Sequence, residues 1–494
     1  MKKRYMAWAG GLISFMLLLS GCQTISGIDL NQVMQNHVAL QSYEGNSTIN
    51  IQFVNDGTAK PVVTGETDLS LLQNIQLNLT SVKKVDKDHT YMTGELVITN
   101  PAMTIPVLMT YGKGELAIQI DKATKPVVFQ MSNWLTTTLA IPTEFGALLK
   151  NPDELLNKII PYITTKLSNP QNISVTSVNE TINNEALNLK KINGEFSGTE
   201  LSGMIKQMLT DVVADKVGVK ALITQIYATI TDAPANDFVI DYITGMLLEP
   251  LKKMEQDWDK PKSTETNNTF FDAQTLFKMD LFVDSASQIR KSGLELNLNN
   301  LSKNPKGYTG LKISLQSEMW KINQPVTAGK LIDSITNGSL IWDEKTTWPK
   351  FLKTLDKNSQ LYKVLYNDVH VTYKKIQMTI KENSGGAVAV GSPYIIPEGY
   401  TMVPIRFVSE NLGSDVSWDG VKRQVTIEDI LTGKKIVLII GSKEALIDGK
   451  MVMMQTEAVI TNNSTYVPVR FVSESLGAVV GWNADTRTVT VTKN

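Results

Sequence analysis

The stretch Tyr466–Gly477, YVPVRFVSESLG, repeats almost letter for letter the stretch Met402–Gly413, MVPIRFVSENLG. The distance in sequence from position 402 to position 466 is the offset that aligns the first copy with the second. Identities at the same offset continue beyond the two stretches, in the pairs Trp418/Trp482 and Arg423/Arg487. A constant offset across the motif and its flank indicates a true duplication, so the C-terminal part of the chain is built from two copies of one unit.

Each copy is predicted to form a short helix followed by a β-hairpin. Pro404 and its counterpart Pro468 suit the first helical turn, where a missing N–H costs nothing. Gly413 and Gly477 suit the left-handed residue that follows a helix. Phe407, Val408 and Leu412 are predicted to supply the buried face of the first helix. The repeat therefore has the pattern of a structural unit, with a small sheet and small helices packed on it.

The arginines and tryptophans of the repeat have a structural interpretation and, as the alternative, a role in ligand binding. Arg406 and Glu410 lie four residues apart on one helix face and are predicted to pair, as are Arg470 and Glu474. The alternative for each arginine is binding of an anionic wall polymer, because a guanidinium suits phosphate or carboxylate. The helices are followed by Trp418 and Trp482, which are predicted to anchor the core. The alternative is that these two indoles stack against sugar rings.

The order VPxRFVSExLG, then Trp, a turn and RxVT, resembles the copper amine oxidase N-terminal-like domain, or stalk domain, of exported Gram-positive bacterial proteins. The resemblance spans about Val390 to Asn494 and implies a small α+β module. In amine oxidases this domain is an appendage, and the copper centre in another domain takes three histidines. This chain has only His37, His89 and His370, scattered over different segments, and Tyr366-Asn367-Asp368 has the wrong order for the cofactor-forming tripeptide. We therefore predict no catalytic residue, no metal and no cofactor.

The N-terminus has the pattern of an export signal. Lys2, Lys3 and Arg4 precede an apolar stretch, Tyr5 to Leu19, that is too short to span a membrane comfortably. It ends in Leu19-Ser20-Gly21-Cys22, which resembles the lipobox of bacterial lipoproteins. Cys22 is the only cysteine of the chain, so an internal disulfide is impossible. We predict a signal peptide over residues 1–21 and a lipid anchor on Cys22 that holds the protein on the extracytoplasmic face of the cell membrane of a Gram-positive bacterium.

Chain length limits the number of domains, and the charge balance limits the class of partner. A chain of 494 residues is expected to contain two or three cores. Its 48 Lys and Arg residues balance 49 Asp and Glu residues, without a run of like charges. We therefore predict no nucleic acid partner.

The region before the repeats is predicted to be an α+β domain. Period-two alternation indicates strands around Ile49 to Phe53, Ile75 to Leu79, Tyr91 to Thr99, Val107 to Tyr111, Glu115 to Ile120, Phe277 to Val283 and Leu294 to Leu298. Helical periodicity follows Asn151, with Pro161 expected to kink or split the first helix, and continues from Thr199 to Leu251. The fold class is therefore a large curved antiparallel sheet with helices on one face, followed by the small α+β module.

This order, together with the lipobox, resembles the half-barrel fold of bacterial lipoprotein carriers and mycobacterial lipid-binding lipoproteins. The predicted organisation has a tether and first helix at 22–46, the half-barrel domain at 47–380, a linker at 381–393 (KENSGGAVAVGSP) and the repeated module at 394–494, with repeats at 400–427 and 464–491.

Two functions remain open at this point, and both are non-catalytic. In the first, a membrane-anchored envelope lipoprotein holds an apolar or amphiphilic ligand, or an envelope component, between its sheet and helices. In the alternative, it is a structural or adhesive protein whose stalk module is a spacer or binds cell-wall polymer. A ligand-sized apolar cavity between sheet and helices favours the first, and a filled interior favours the second.

Overall fold

A computed structural model describes residues 24–55, 74–99, 102–130, 152–230, 236–259, 271–299, 308–332, 338–343, 346–380 and 391–494. These residues form two compact units. The first unit contains the described residues up to 121 and those from 125 to 343. The second contains residues 122–124 and the described residues after 343. Both units mix helices and sheets, as the predicted fold class requires.

The first unit is organised around a 12-stranded sheet, in the order β12-β6-β5-β4-β3-β2-β1-β11-β10-β9-β8-β7. Every pairing in it is antiparallel except that of β12 with β6. Its strands are β1 (Tyr43–Asn55), β2 (Asn74–Asp86), β3 (His89–Ile98), β4 (Met103–Gly112), β5 (Glu115–Ile120), β6 (Val127–Gln130), β7 (Asn172–Ile182), β8 (Glu185–Ser197), β9 (Leu276–Val283), β10 (Ile289–Leu298), β11 (Tyr308–Trp320) and β12 (Leu340–Ile341). The antiparallel meander predicted from alternation is confirmed.

The helices of the first unit are α1 (Leu30–Val38), α2 (Pro152–Thr164), α3 (Gly198–Ala214), α4 (Lys216–Ile230) and α5 (Asp237–Asp257). The Asp29 carboxylate accepts hydrogen bonds from the Asn31 and Gln32 amides and so caps α1. Helix α2 continues through Pro161 to Thr164, so this proline does not split the helix. None of the helices in the described part of the chain has the length and apolar character needed to cross a bilayer.

The helical block also contains a hairpin that our sequence analysis did not predict. Strands β7 and β8 stand between α2 and α3 and extend the edge of the large sheet. Asn183 and Asn184 connect them, and both have positive φ, 46° and 65°. Two-residue hairpins of type I′ need this conformation at both positions, and asparagine tolerates it. Alternation across Ile173 and Val175, followed by Asn-Asn, is the sequence signal of this hairpin.

The second unit contains three smaller sheets, with strand orders β13-β24-β23, β14-β15-β22-β21 and β16-β17-β18-β19-β20. Its elements are α6 (Trp348–Leu352), α7 (Gln360–Lys363), a π-helical turn (Val364–Asp368), β13 (Lys374–Thr379), β14 (Tyr394–Ile395), β15 (Thr401–Pro404), α8 (Ile405–Asn411), β16 (Ser414–Asp419), β17 (Gln424–Asp429), β18 (Lys435–Ile439), β19 (Glu444–Ile447), β20 (Lys450–Met453), β21 (Val459–Thr461), β22 (Ser464–Pro468), α9 (Val469–Ser475), β23 (Val479–Asn483) and β24 (Thr488–Lys493).

The duplication is present in three dimensions at the offset found in the sequence. Helix α9 begins and ends at the positions equivalent to those of α8, and β24 does so with respect to β17. The two repeats meet at β15 and β22, where Val403 pairs with Val467, its own counterpart in the other repeat. A residue that faces its own equivalent lies on a pseudo-twofold axis. The repeat is therefore a pseudo-symmetric building block, as its packing and capping residues predicted.

The repeated module begins earlier than we predicted. Strand β13, which the prediction placed in the first domain at 47–380, pairs along its whole length with β24, the last strand of the module. Ile376 and Met378 of β13 are buried in the same core as Val408 and Val472. This strand therefore belongs to the second unit. Residues 381–390 of the predicted linker lie outside the described residues.

Candidate functional site

The apolar face of the large sheet is packed against α1 and α3. From the strands, Phe277, Met279 and Leu298 are buried there together with Leu30 and Val33 of α1. Leu201 of α3 joins the same cluster. This contact between sheet and helices is thus filled by side chains. Of the two functions considered above, this filled contact at α1 and α3, within the described residues, favours the structural or wall-binding alternative.

The opposite face of the sheet contains a groove, which we call the polar groove, next to a small apolar cluster that includes Phe282. The groove has a volume of about 700 Å³ and crosses five neighbouring strands, from β9 to β2. One row of register partners runs across its middle: Asp280, Gly293, Gln316, Thr48 and Asn78. Period-two alternation puts these residues on one side of the sheet and the buried leucines and isoleucines on the other.

Charged groups around the polar groove are paired with one another. Lys291 lies 2.9 Å from Glu180 and 3.9 Å from Glu318. Asp280 accepts from the Lys191 ammonium at 3.1 Å and from the Asn193 amide at 2.8 Å. The groove therefore presents amide and hydroxyl groups, together with the apolar side chains of Leu79 and Phe282, beside charges that already have partners.

The Arg–Glu pairs predicted in the repeated module are present. Arg406 Nη1 donates to Glu410 Oε1 at 3.0 Å, and Arg470 Nη1 donates to Glu474 Oε1 at 3.1 Å. Arg406 also donates to the Val416 carbonyl oxygen at 3.2 Å. This supports the structural role for the arginines, since each guanidinium already has a carboxylate partner.

The two tryptophans are not core anchors, which corrects the prediction. The exposed fraction is 46% for Trp418 and 45% for Trp482. They lie on β16 and β23, each the outermost strand of its sheet among the described residues, so each of these strands pairs on one side only. They sit opposite the equivalent buried residues Val425 and Val489. Two indoles thus project at equivalent positions of the pseudo-symmetric module.

The buried face predicted for the first helix is also partly wrong. Val408 and Leu412 are buried, but Phe407 is 49% exposed. Its counterpart in the second repeat, Phe471, is only 6% exposed. The backbone follows the pseudo-symmetry, whereas the side-chain surroundings of the two helices differ.

A buried ion pair holds two parts of the module together. Asp429 Oδ2 accepts from Lys493 Nζ at 2.6 Å, and the same ammonium donates to the Leu412 carbonyl at 2.9 Å. Asp429 Oδ1 accepts from the Thr432 amide at 2.8 Å. Burial alone would raise the pKa of Asp429, but the Lys493 ammonium and the Thr432 donors hold that pKa below its ordinary value.

The histidines lie on separate elements: His37 in α1, His89 at the start of β3 and His370 before β13. Within the described ranges, no three His, Cys, Asp or Glu side chains are grouped so as to hold a metal ion. His37 Nδ1 is buried and has no hydrogen-bond partner among the residues that the structure describes. Burial, with a contribution from Lys84, lowers the pKa of His37 to about 4. Cys22, the predicted lipid attachment site, lies outside the described residues.

Comparisons with known proteins find a match for the repeated module. Residues 367–491 match the family model of the copper amine oxidase N-terminal domain. The match includes β13 and both repeats, and it starts before the Val390 that the resemblance suggested. Among solved structures, the chain is similar to the crystal structure of LprF from Mycobacterium bovis, with 9% sequence identity and a TM-score of 0.23. The alignment covers 61% of this chain and 95% of that chain. No curated protein matches the chain.

Proposed function

We propose that the protein is a non-catalytic envelope lipoprotein, anchored on the extracytoplasmic face of the cell membrane through Cys22, whose repeated module binds cell-wall glycan. The observation that carries the proposal is the pair of half-exposed indoles, Trp418 and Trp482. The packed contact between sheet and helices supports a wall-binding role over transport of an apolar ligand.

An exposed indole is well suited to this role. Tryptophan combines a large apolar surface with one N–H donor, so it contacts the apolar face of a sugar ring while leaving its hydroxyls solvated. Leaving such a side chain half exposed on a small module forgoes burial that contributes roughly 25 cal/mol per Å² to folding. Two equivalent sites on one module also gain avidity when both contact the same repeating polymer.

The proposal is tested by co-sedimentation of the purified protein with insoluble bacterial cell-wall glycan. The variants are Trp418→Ala, Trp482→Ala and the double substitution. Because truncating an aromatic contact typically costs about 1–2 kcal/mol, each single variant should bind roughly 5- to 30-fold more weakly. The double variant should remain in the supernatant if the two sites act together.

Met451→Ala is the matched control, because Met451 is 65% exposed on β20 of the same module. This variant should sediment like the wild type. Undiminished sedimentation of the double tryptophan variant would refute glycan binding by the module. Equal loss in the Met451 variant would show that general apolar adsorption accounts for the binding.

The anchor is tested separately. In a Gram-positive host, Cys22→Ala should abolish incorporation of labelled palmitate and release the protein from the membrane fraction. Persistent labelling in this variant would mean that the lipid is attached elsewhere. The glycan result does not depend on this experiment, since sedimentation uses protein freed from membrane.

A further inference from the structure

We infer that the polar groove of the first unit is a binding site for a neutral oligosaccharide. This inference is independent of the proposed function, because it concerns another unit of the chain and none of the tryptophans. It rests on the floor of the groove, on the groups that line it and on the pairing of its charges.

The floor of the polar groove is Gly293. A Cβ built on this residue meets only one heavy atom within 4 Å, the Cβ of Asp280 at 3.8 Å, which is ordinary contact. The position therefore has room for a side chain that the sequence leaves out. Glycine inside a strand costs roughly 0.5–1 kcal/mol relative to alanine. A strand glycine above which space stays open is typical of a place where another molecule approaches the backbone.

The wall of the groove on one side of Gly293 carries amides and hydroxyls. Gln316 is its direct register partner on β11, and Thr48 and Asn78 continue the same row on β1 and β2. Thr48 Oγ1 donates to Asn78 Oδ1 at 3.3 Å, which orients that amide. Amide groups both donate and accept hydrogen bonds, and so do the hydroxyls of a sugar.

The paired charges decide between a neutral and a charged ligand. A net anion would approach the carboxylates of Asp280 and Glu318, while Lys291, whose side chain lines the groove, already contacts Glu180 at 2.9 Å. A net cation would compete with Lys191 and Lys291 for the same carboxylates. Breaking such ion pairs is unfavourable, and a neutral ligand can bind while the pairs stay intact. A polyhydroxyl ligand without net charge fits these groups best.

The size agrees with this assignment. A volume of about 700 Å³ lies inside the range of about 300 to 1,000 Å³ that is usual for small-molecule sites. The row of register partners crosses five strands that are spaced about 4.8 Å apart, so the lining is long enough for a short linear chain of sugar units.

The test is isothermal titration of the full-length protein with chitotetraose, cellotetraose and maltotetraose, and with tetragalacturonic acid as the charged counterpart. At least one neutral tetramer should bind with 1:1 stoichiometry, and the charged tetramer should bind at least tenfold more weakly. Gly293→Val should weaken the neutral binding by tenfold or more, because its side chain fills the floor. The melting temperature of this variant should not fall, since valine favours strands.

Two controls make the result specific. Ser174→Val adds the same side chain to the same row of register partners at the exposed strand β7, outside the groove, and should leave binding unchanged. The double variant Trp418→Ala, Trp482→Ala should also bind as the wild type. Should Gly293→Val misfold, Gln316→Ala replaces it, with a loss of about threefold to tenfold from one removed amide.

Three outcomes would overturn the inference. One is the absence of heat from every neutral tetramer at about 10 mM, a concentration that reveals even millimolar binding. Another is wild-type affinity in folded Gly293→Val, or in Gln316→Ala where that variant replaces it. The third is loss of the titration in the double tryptophan variant, which would locate the ligand in the repeated module instead.

Discussion

Asp429 and Lys493 occupy equivalent positions in the two repeats, and their side chains form an ion pair with each other at 2.6 Å. Equivalent positions of a duplicated unit have thus diverged to opposite charges. In a perfectly symmetric module, two like charges would meet there and repel each other. The pair therefore favours assembly of one repeat with the other over assembly of two identical copies.

Asp429→Asn should lower the free energy of unfolding of the second unit by about 2–3 kcal/mol, because it leaves the partly buried Lys493 ammonium without its carboxylate. Urea denaturation followed by tryptophan fluorescence measures this loss. Glu410→Gln, which breaks an exposed pair in the same module, should cost under about 0.5 kcal/mol. Equal effects of the two variants would contradict a special role for the buried pair.

The pH dependence of this pair follows from the lowered pKa of Asp429. A carboxyl whose folded-state pKa lies below the ordinary 3.8 stabilises the fold above that value, and the contribution is lost as the pH falls through the folded-state pKa. Wild type and Asp429→Asn should therefore differ in stability at pH 7 and converge in strong acid. A constant difference at every pH would show that the carboxylate charge is not what stabilises the unit.

Phe471→Ala should destabilise the second unit by about 3–4 kcal/mol, because it removes a nearly fully buried aromatic ring and leaves a cavity. Phe407→Ala, the matched change in the first repeat, removes a half-exposed ring and should cost less than about 1 kcal/mol. Thermal unfolding of the two variants compares them directly. Similar losses would mean that the two helices are packed alike, contrary to the structure.

Gly94→Ala should destabilise the first unit by roughly 3 kcal/mol through steric overlap. A Cβ at this position overlaps the Asn78 backbone carbonyl oxygen, beside the register shift between Leu79 and Ser81. Gly293→Ala is the control, because it meets no atom closer than 3.8 Å and should be neutral or slightly stabilising. A folded Gly94→Ala protein with wild-type melting would show that the β2–β3 contact can widen without cost.

His37 should make the first unit sensitive to mild acid. Its pKa is about 4 in the folded chain and 6.5 when unperturbed, so between these values the unfolded state binds a proton that the folded state does not. Stability is therefore complete above pH 6.5 and falls as the pH drops toward 4, by roughly 2 kcal/mol for a partly accessible ring. His37→Gln should show a smaller decline in the free energy of unfolding between pH 7 and 4.5. An unchanged slope would assign the acid sensitivity to other groups.

Local sequence patterns predicted the elements whose contacts are local. Alternation located β1 to β5, β9 and β10, and the proline and glycine of each repeat located α8 and α9. The β13–β24 pairing escaped prediction because Lys374 and Lys493 are far apart along the chain, and such pairing leaves no periodic mark on either strand. The exposure of Trp418 depends in the same way on β16 being an outermost strand, which only the sheet order reveals.

The polar groove was even less accessible to prediction from sequence. The alternation that located β9 and β10 identifies their buried leucines and phenylalanines, while the polar residues between them have the ordinary pattern of a solvated face. Open space above Gly293 arises from the neighbours that register brings beside it, Asp280 and Gln316. A glycine in a strand was the one signal in the sequence. Such a glycine occurs both at β-bulges and where a ligand approaches the backbone, so it does not by itself indicate a binding site.

The antiparallel pairing of β13 with β24 also has a mechanical consequence. Lys374 and Lys493 are register partners, so the chain enters β13 and leaves β24 at the same end of this two-stranded contact. A force applied across those two points would open the hydrogen bonds one at a time, like a zipper, instead of loading them all in shear. Under tension the module would therefore begin to open at this seam, and the adjoining strand β23 would be the next to lose its neighbour.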